Sequence, residues 1–116
     1  MVAINPDEKR ADLIFHALAD STRRDIVRRS IEGELSVSAL ARAYPISVTA
    51  VQKHVAVLER AGLVTRERRG REQLVQSRSE AIADAQRLLD EFEALWRDRI
   101  DRIGELVATS ETGDKT

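Results

Sequence analysis

Along residues 8–18 the apolar side chains Ala11, Ile14, Phe15 and Leu18 recur at intervals of three and four, the spacing that lines one face of a helix. A second such run, Ile26, Val27 and Ile31, follows Asp20-Ser21-Thr22, whose short polar side chains can cap free backbone amides, and ends at Gly33. Leu40 and Ala41 belong to a short third helix that Ser36 or Ser38 can cap, and Pro45 prevents its continuation. Ser47 then opens a fourth helix. There Val48, Val51, Val55 and Leu58 form an apolar row expected to hold the helix against the domain, with Gly62 as its stop. The period changes at Leu63-Val64-Thr65-Arg66 and Gln73-Leu74-Val75-Gln76, two β-prone runs joined by a turn-bearing segment, Glu67 to Glu72, with Gly70 near its middle. From a cap at Ser79 the helical spacing returns through Ile82, Ala85, Leu89, Phe92, Trp96, Ile103 and Leu106, blurred once at Arg99-Ile100.

The order helix, helix, helix-turn-helix, hairpin, helix is that of a winged helix-turn-helix domain. The expected class is mostly α (α+β), with about five helices, a two-stranded β-hairpin wing and terminal helices available for a dimer interface. One domain spans 8–107, divided into the helix-turn-helix at 36–61, the wing at 63–77 and a C-terminal dimerisation helix at 79–107. Residues 1–7 and 108–116 are expected to be flexible tails. A chain of 116 residues supports one hydrophobic core, and it contains no internal repeat or low-complexity segment.

Composition agrees with a helical protein: 42% of residues are apolar, 34% charged and only 3% aromatic. The absence of cysteine removes disulfides, thiolate metal ligands and cysteine nucleophiles together. No apolar run is long enough to cross a membrane and no secretory pattern stands at the start, so a soluble cytoplasmic protein is expected. A formal net charge of −1 argues against a partner such as nucleic acid, but its distribution argues the other way. Ser21 to Arg78 carries twelve Arg or Lys against six Asp or Glu, net +6, and the two flanks together carry net −7. A basic centre between acidic ends suits a polyanion-binding module, although solvated helix faces clustering by chance would look similar.

LADSTRRDIV, followed by LSVSALARAYPISVTAVQKHVAVLERAGLVTRERRGREQLVQ, resembles the ArsR/SmtB family of bacterial repressors. Members of that family often show LADPTRRxIL, then SVSELA, then SxxAVSxHLxxLxxAGLV and a wing bearing arginine and glycine. The resemblance covers residues 13–77, about half the chain, and its most specific parts are the Ser-x-x-Ala-Val-x-x-His spacing and Leu-x-x-Ala-Gly-Leu-Val. It implies a homodimeric operator-binding repressor, often autoregulatory, released from DNA by an effector. Two departures from the family pattern lie in the wing: Glu67 and Glu72 dilute its charge, and Gln73-Leu74-Val75 lacks the usual aromatic residues.

A helix entering the major groove presents its first turns to base edges. Thr49 and Gln52 are therefore the base-reading candidates, since an amide can bond adenine at two points and a threonine methyl can touch thymine. Ser47, Lys53 and His54 are candidates for the DNA backbone, with Ser47 equally able to serve as a cap alone and His54 able to make a local structural hydrogen bond. Arg66, Arg68, Arg69 and Arg71 are backbone candidates of the wing, where guanidinium binds phosphate or enters a narrow minor groove; a solvated charged loop is the plainer alternative. Arg23 and Arg24 have two readings, phosphate contact or salt bridges to acidic neighbours such as Asp20. Phe15, Leu89, Phe92, Leu95, Trp96 and Ile103 are the dimer-interface candidates, because a two-fold operator needs two reading helices about one turn apart. The same stripe could instead complete the monomer core.

No catalytic, metal or cofactor site is expected. Neither histidine, His16 nor His54, falls on the last helix, and thiolate sites are excluded. The run Leu95-Trp96-Arg97-Asp98-Arg99-Ile100-Asp101-Arg102-Ile103 is similar to the cysteine-free branch of the family, some members of which are encoded beside START-like proteins, which implies an organic effector or none. The expected partners are double-stranded DNA with an inverted-repeat operator, a second copy of the chain and a small organic effector. The alternative to DNA binding is a winged protein-interaction module, which the basic centre argues against.

Overall fold

The computed structural model describes residues 6–114, with side chains from Glu8 to Ala108. The expected tails at 1–5 and 115–116 lie outside the described residues. Two compact units divide the chain, Met1–Ala85 and Gln86–Thr116.

In the first unit, α1 (Pro6–Leu18) opens on a proline, whose missing N–H is one of those a helix start leaves unpaired anyway. Of the short polar residues considered as caps, Asp20, Ser36 and Ser47 act as caps through their side chains. Asp20 Oδ2 accepts the Arg23 N–H at 2.9 Å to start α2 (Ser21–Glu32), which ends where the Gly33 N–H reaches Arg29 O at 3.1 Å. Ser36, rather than Ser38, caps α3 (Val37–Ala43) by accepting the Ala39 N–H at 3.0 Å. Tyr44 is extended, φ −125° and ψ 150°, as a residue before proline must be to avoid the ring. Ser47 accepts the Ala50 N–H at 3.1 Å and starts α4 (Val48–Arg60). Gly62 follows at φ +76°, a left-handed conformation that reverses the chain into the sheet and that a side chain would oppose.

The sheet has three strands, not the two expected. β1 (Leu35–Ser36), β2 (Val64–Arg69) and β3 (Glu72–Ser77) are antiparallel in the order β1-β3-β2, with Leu35 opposite Val75 and Ser36 opposite Leu74. A two-residue strand is too short to show alternation, and it forms because β3 offers a free edge. The hairpin is also tighter than expected. Arg69 pairs with Glu72, leaving only Gly70-Arg71 as the loop, with Gly70 at φ +65°, so Glu67, Arg68, Arg69 and Glu72 are strand residues.

Ile14, Ile26, Leu40, Val51, Val55, Leu58, Leu63, Val64 and Val75 are fully buried, so every helix and long strand of the first unit contributes to one core. Four residues placed on apolar faces by spacing depart from it: Val48 is 48% exposed, Ile31 66%, Ile82 41% and Phe15 37%. Val48 is the first residue of α4, where the helix projects past the core, and periodicity cannot register where a core ends.

α5 (Glu80–Asp114) starts one residue after Ser79 and continues beyond the expected stop near Val107; no proline or glycine interrupts 108–112. Ala81 and Ala85 are buried in the first unit. In the second unit the apolar stripe is solvent-exposed within the chain: Leu89, Phe92, Leu95, Trp96, Ile100 and Ile103 all have about half or more of their surface accessible. Its polar side chains pair along the helix, Gln86 with Asp90, Arg97 with Glu93 and Arg102 with Asp98. Among the described residues no helix is long and apolar enough to cross a membrane.

Candidate nucleic-acid interface

α3 and α4, joined by Tyr44–Ser47, form the helix-turn-helix. Burial of Val51, Val55 and Leu58 fixes the rotation of α4 about its axis, and that rotation leaves Ser47, Thr49, Gln52 and Lys53 exposed on its first turns. The Ser47 hydroxyl is engaged as the cap, yet stays at the surface.

His54 is placed differently from its neighbours. It is half-buried, and its Nδ1 lies 3.3 Å from Arg23 Nη1 and 4.0 Å from Asp20 Oδ2. A guanidinium only donates, so Nδ1 accepts and the neutral ring carries its proton on Nε2. Arg23 is the centre of this arrangement. Its Nε donates to Ala17 O at 2.7 Å and its Nη2 to His16 O at 3.0 Å, satisfying the last carbonyls of α1 while Nη1 reaches α4. Arg24 repeats the pattern on Leu18 O at 2.8 Å. Both arginines thus cap a helix C-terminus, a role that neither sequence reading considered. The Arg23 backbone N–H, ahead of the Arg23 charge, holds the Asp20 carboxyl below the usual carboxylate range.

The turn is anchored by a second cluster. The Tyr44 hydroxyl donates a short hydrogen bond to Asp25 Oδ2, the Arg29 guanidinium lies 5.5 Å from the centre of the Tyr44 ring, and Arg29 Nε donates to Asp25 at 2.8 Å. Partial burial and the Asp25 bond push the Tyr44 hydroxyl up to about 12, while the Tyr44 bond and then Arg29 hold Asp25 low. The helix-turn-helix is thereby tied to α2 on both sides of its turn, at Tyr44 and at His54.

The wing arginines separate into distinct environments. Arg66 turns back to α4, with Nη2 2.9 Å and Nε 3.3 Å from Glu59 Oε1, and holds strand β2 to that helix. Arg69 lies between Glu34 at 3.6 Å and Glu67 at 3.4 Å. Arg68 reaches only the Gly70 carbonyl, at 3.4 Å, and Arg71 at the loop has no partner among the described residues. Of the glutamates noted as diluting the wing, Glu67 does so by pairing with Arg69, and it also accepts from Gln76 Nε2 at 3.3 Å. Arg42, exposed in the last turn of α3, was not among the expected residues; its only sequence signal is its place three residues before Pro45.

Comparison with known proteins agrees with this architecture. A family model described as "Helix-turn-helix domain" matches residues 18–67. HTH-type transcriptional regulator Rv2034 of Mycobacterium tuberculosis is 36% identical over 105 residues, covering 90% of this chain and 94% of that protein. The crystal structure of the ArsR family transcriptional regulator RHA00566 superposes with a TM-score of 0.74 at 30% identity, over 83% of this chain and 97% of that one. The solution structure of Mb0332 from Mycobacterium bovis, described as a homodimeric winged helix-turn-helix DNA-binding domain, shares the fold with a TM-score of 0.59 at 23% identity, over 88% of this chain and 95% of that one.

Proposed function

Since the chain belongs to the ArsR family of winged helix-turn-helix transcriptional regulators, we propose that it is a homodimeric, sequence-specific repressor that binds an inverted-repeat operator and is released by a non-metal effector. The observation that carries this reading is the division of α4: three apolar side chains without accessible surface fix the helix, and the polar side chains of its first turns are left outside. In the bound state Thr49 and Gln52 read base edges, Ser47 donates its hydroxyl to a phosphate, and Lys53 and the wing arginines Arg68 and Arg71 neutralise backbone phosphates. Arg42 joins them, because the first helix of the motif crosses the backbone. His54 contributes its Nε2–H to a phosphate while Arg23 holds the ring. Arg66 and Arg69 act mainly within the protein, through their glutamate partners.

Dimerisation through α5 is supported by its exposed stripe, with Leu89, Phe92, Leu95, Trp96 and Ile103 as contacts and Phe15 of α1 as a further one. Mb0332, with the same fold, is described as homodimeric. A non-metal effector fits a chain that has no cysteine and whose histidines lie in α1 and α4, the second of them bonded to Arg23. An operator-bound regulator works in the cytoplasm.

The test is a footprint of the protein on its own upstream DNA across a salt series. Gln52→Ala should lose about 1–3 kcal/mol of discrimination at one step per half-site. Arg71→Ala should weaken binding to every duplex and reduce the salt slope by about one. No protected inverted repeat, or equal losses on specific and random duplexes from Gln52→Ala, would count against the reading.

A further inference from the structure

At the exposed end of α4 one side chain differs in kind from those around it. Ser47, Thr49, Gln52 and Lys53 are polar and outward, Val51 and Val55 are apolar and fully buried, and Val48 is apolar with 48% of its surface accessible. Val48 precedes Gln52 by four residues, so the two lie in one row along the helix with Thr49 alongside. A lone surface valine elsewhere would need no explanation. This one stands in the first turn of the helix that enters the major groove, where N-terminal side chains meet base edges.

The floor of that groove carries one apolar group, the C5 methyl of thymine, opposite the paired donor and acceptor of adenine. Gln52 has an amide suited to the adenine edge. Val48 has only methyl groups, which pack favourably against another methyl and which, set against a cytosine amino group, would strip its water without replacing the hydrogen bond. We infer that Val48 is a specificity residue that packs on the C5 methyl of one thymine in each half-site, giving with Gln52 a two-residue reading of an A·T-containing step. The inference rests on the groove-reading role proposed above for α4 and deepens it by naming a base and an atom.

Replacing thymine by deoxyuridine removes this methyl and leaves every hydrogen-bonding edge unchanged. The full chain would be used to enrich a preferred duplex from a random pool, and each thymine of that duplex would then be replaced singly. Binding would be measured for the wild type, Val48→Ala and Val48→Thr. Val48 is outside the core, so both variants should keep the wild-type circular dichroism spectrum.

At one position per half-site deoxyuridine should weaken the wild type about fourfold, the contribution of one buried methyl, and should leave Val48→Ala unaffected. Val48→Thr, which retains one methyl, should keep part of the discrimination. Equal responses of wild type and Val48→Ala at every position overturn the inference while leaving the reading helix intact. A change in sedimentation mass of Val48→Ala without DNA assigns the residue to a contact between copies and overturns it too. Failure to enrich any sequence removes sequence-specific reading itself, and Val48's part in it.

Discussion

Val51, Val55 and Leu58 in α4 and Leu89, Phe92 and Trp96 in α5 follow the same arrangement, apolar residues separated by three and four positions. The first three have no accessible surface, whereas the second three are 49%, 53% and 65% exposed. Their intrinsic preference for burial is alike. What differs is what stands opposite: α4 faces the other helices and the sheet of its unit, and the stripe on α5 has no covering element among the described residues of its own unit. A periodic stripe therefore says that a surface needs a partner, and not whether the partner is in the same molecule. The two units should accordingly answer mutation in different ways, the first through folding and the second through association.

The largest contrast should come from one chemical change made in both places. Leu58→Ala removes a fully buried side chain and should cost about 2–5 kcal/mol, lowering the thermal midpoint by the same amount at every protein concentration. Leu95→Ala, at 60% exposure, should leave the dilute monomer unchanged and lower the midpoint only at concentrations where copies associate. Melting curves over a dilution series separate the two. A Leu95→Ala loss independent of concentration would break the comparison.

An intermediate contrast uses arginine. Arg23→Ala leaves Ala17 O and His16 O without their side-chain donor and releases His54, and should cost about 1.5–3 kcal/mol. Arg102→Ala removes an exposed pair within one helix, 2.6 Å to Asp98, and should change stability by less than about 0.5 kcal/mol. Denaturant midpoints would decide, and similar losses from both would show that Arg23 is not the tie its geometry indicates.

The turn should lose less than the Arg23 tie. Tyr44→Phe removes the hydroxyl held by Asp25 and should cost about 0.5–1.5 kcal/mol, measurable by chemical denaturation. The same cluster sets two pH limits. Asp25 is a carboxylate held low, so its contribution is present above the ordinary carboxylate range and is lost as the pH falls through the lowered value. The Tyr44 hydroxyl is raised, so its contribution is complete below the ordinary tyrosine range and is lost as the pH rises toward about 12. Tyr44→Phe should remove the alkaline limb and shift the acid one toward higher pH.

Much of this is legible in the sequence. Caps are local, so they could be narrowed to Asp20-Ser21-Thr22, to Ser36 or Ser38, and to Ser47, and the helix-turn-helix and hairpin followed from changes of period. Pairings across the chain were not legible. Tyr44 with Asp25, Arg66 with Glu59 and Arg23 with the end of α1 each join residues of different elements, which no period within one element can connect. Those pairings refine the candidate site as well: without them, four wing arginines and His54 look equivalent, and with them Arg71 and Arg68 are the least engaged while His54 is half committed to the protein. Val48 is the reverse case, a regular position whose exposure depends on where the core stops.

The chain contains one tyrosine and one tryptophan. Tyr44 sits in the helix-turn-helix turn with its hydroxyl bonded to a carboxylate, and Trp96 sits on the exposed stripe of the second unit. Each unit thus carries its own intrinsic fluorophore, without labelling or insertion. Tyrosine emission will report on the turn and tryptophan emission on the covering of the stripe, so ordering of the DNA-reading end and self-association can be followed as separate optical signals in one sample.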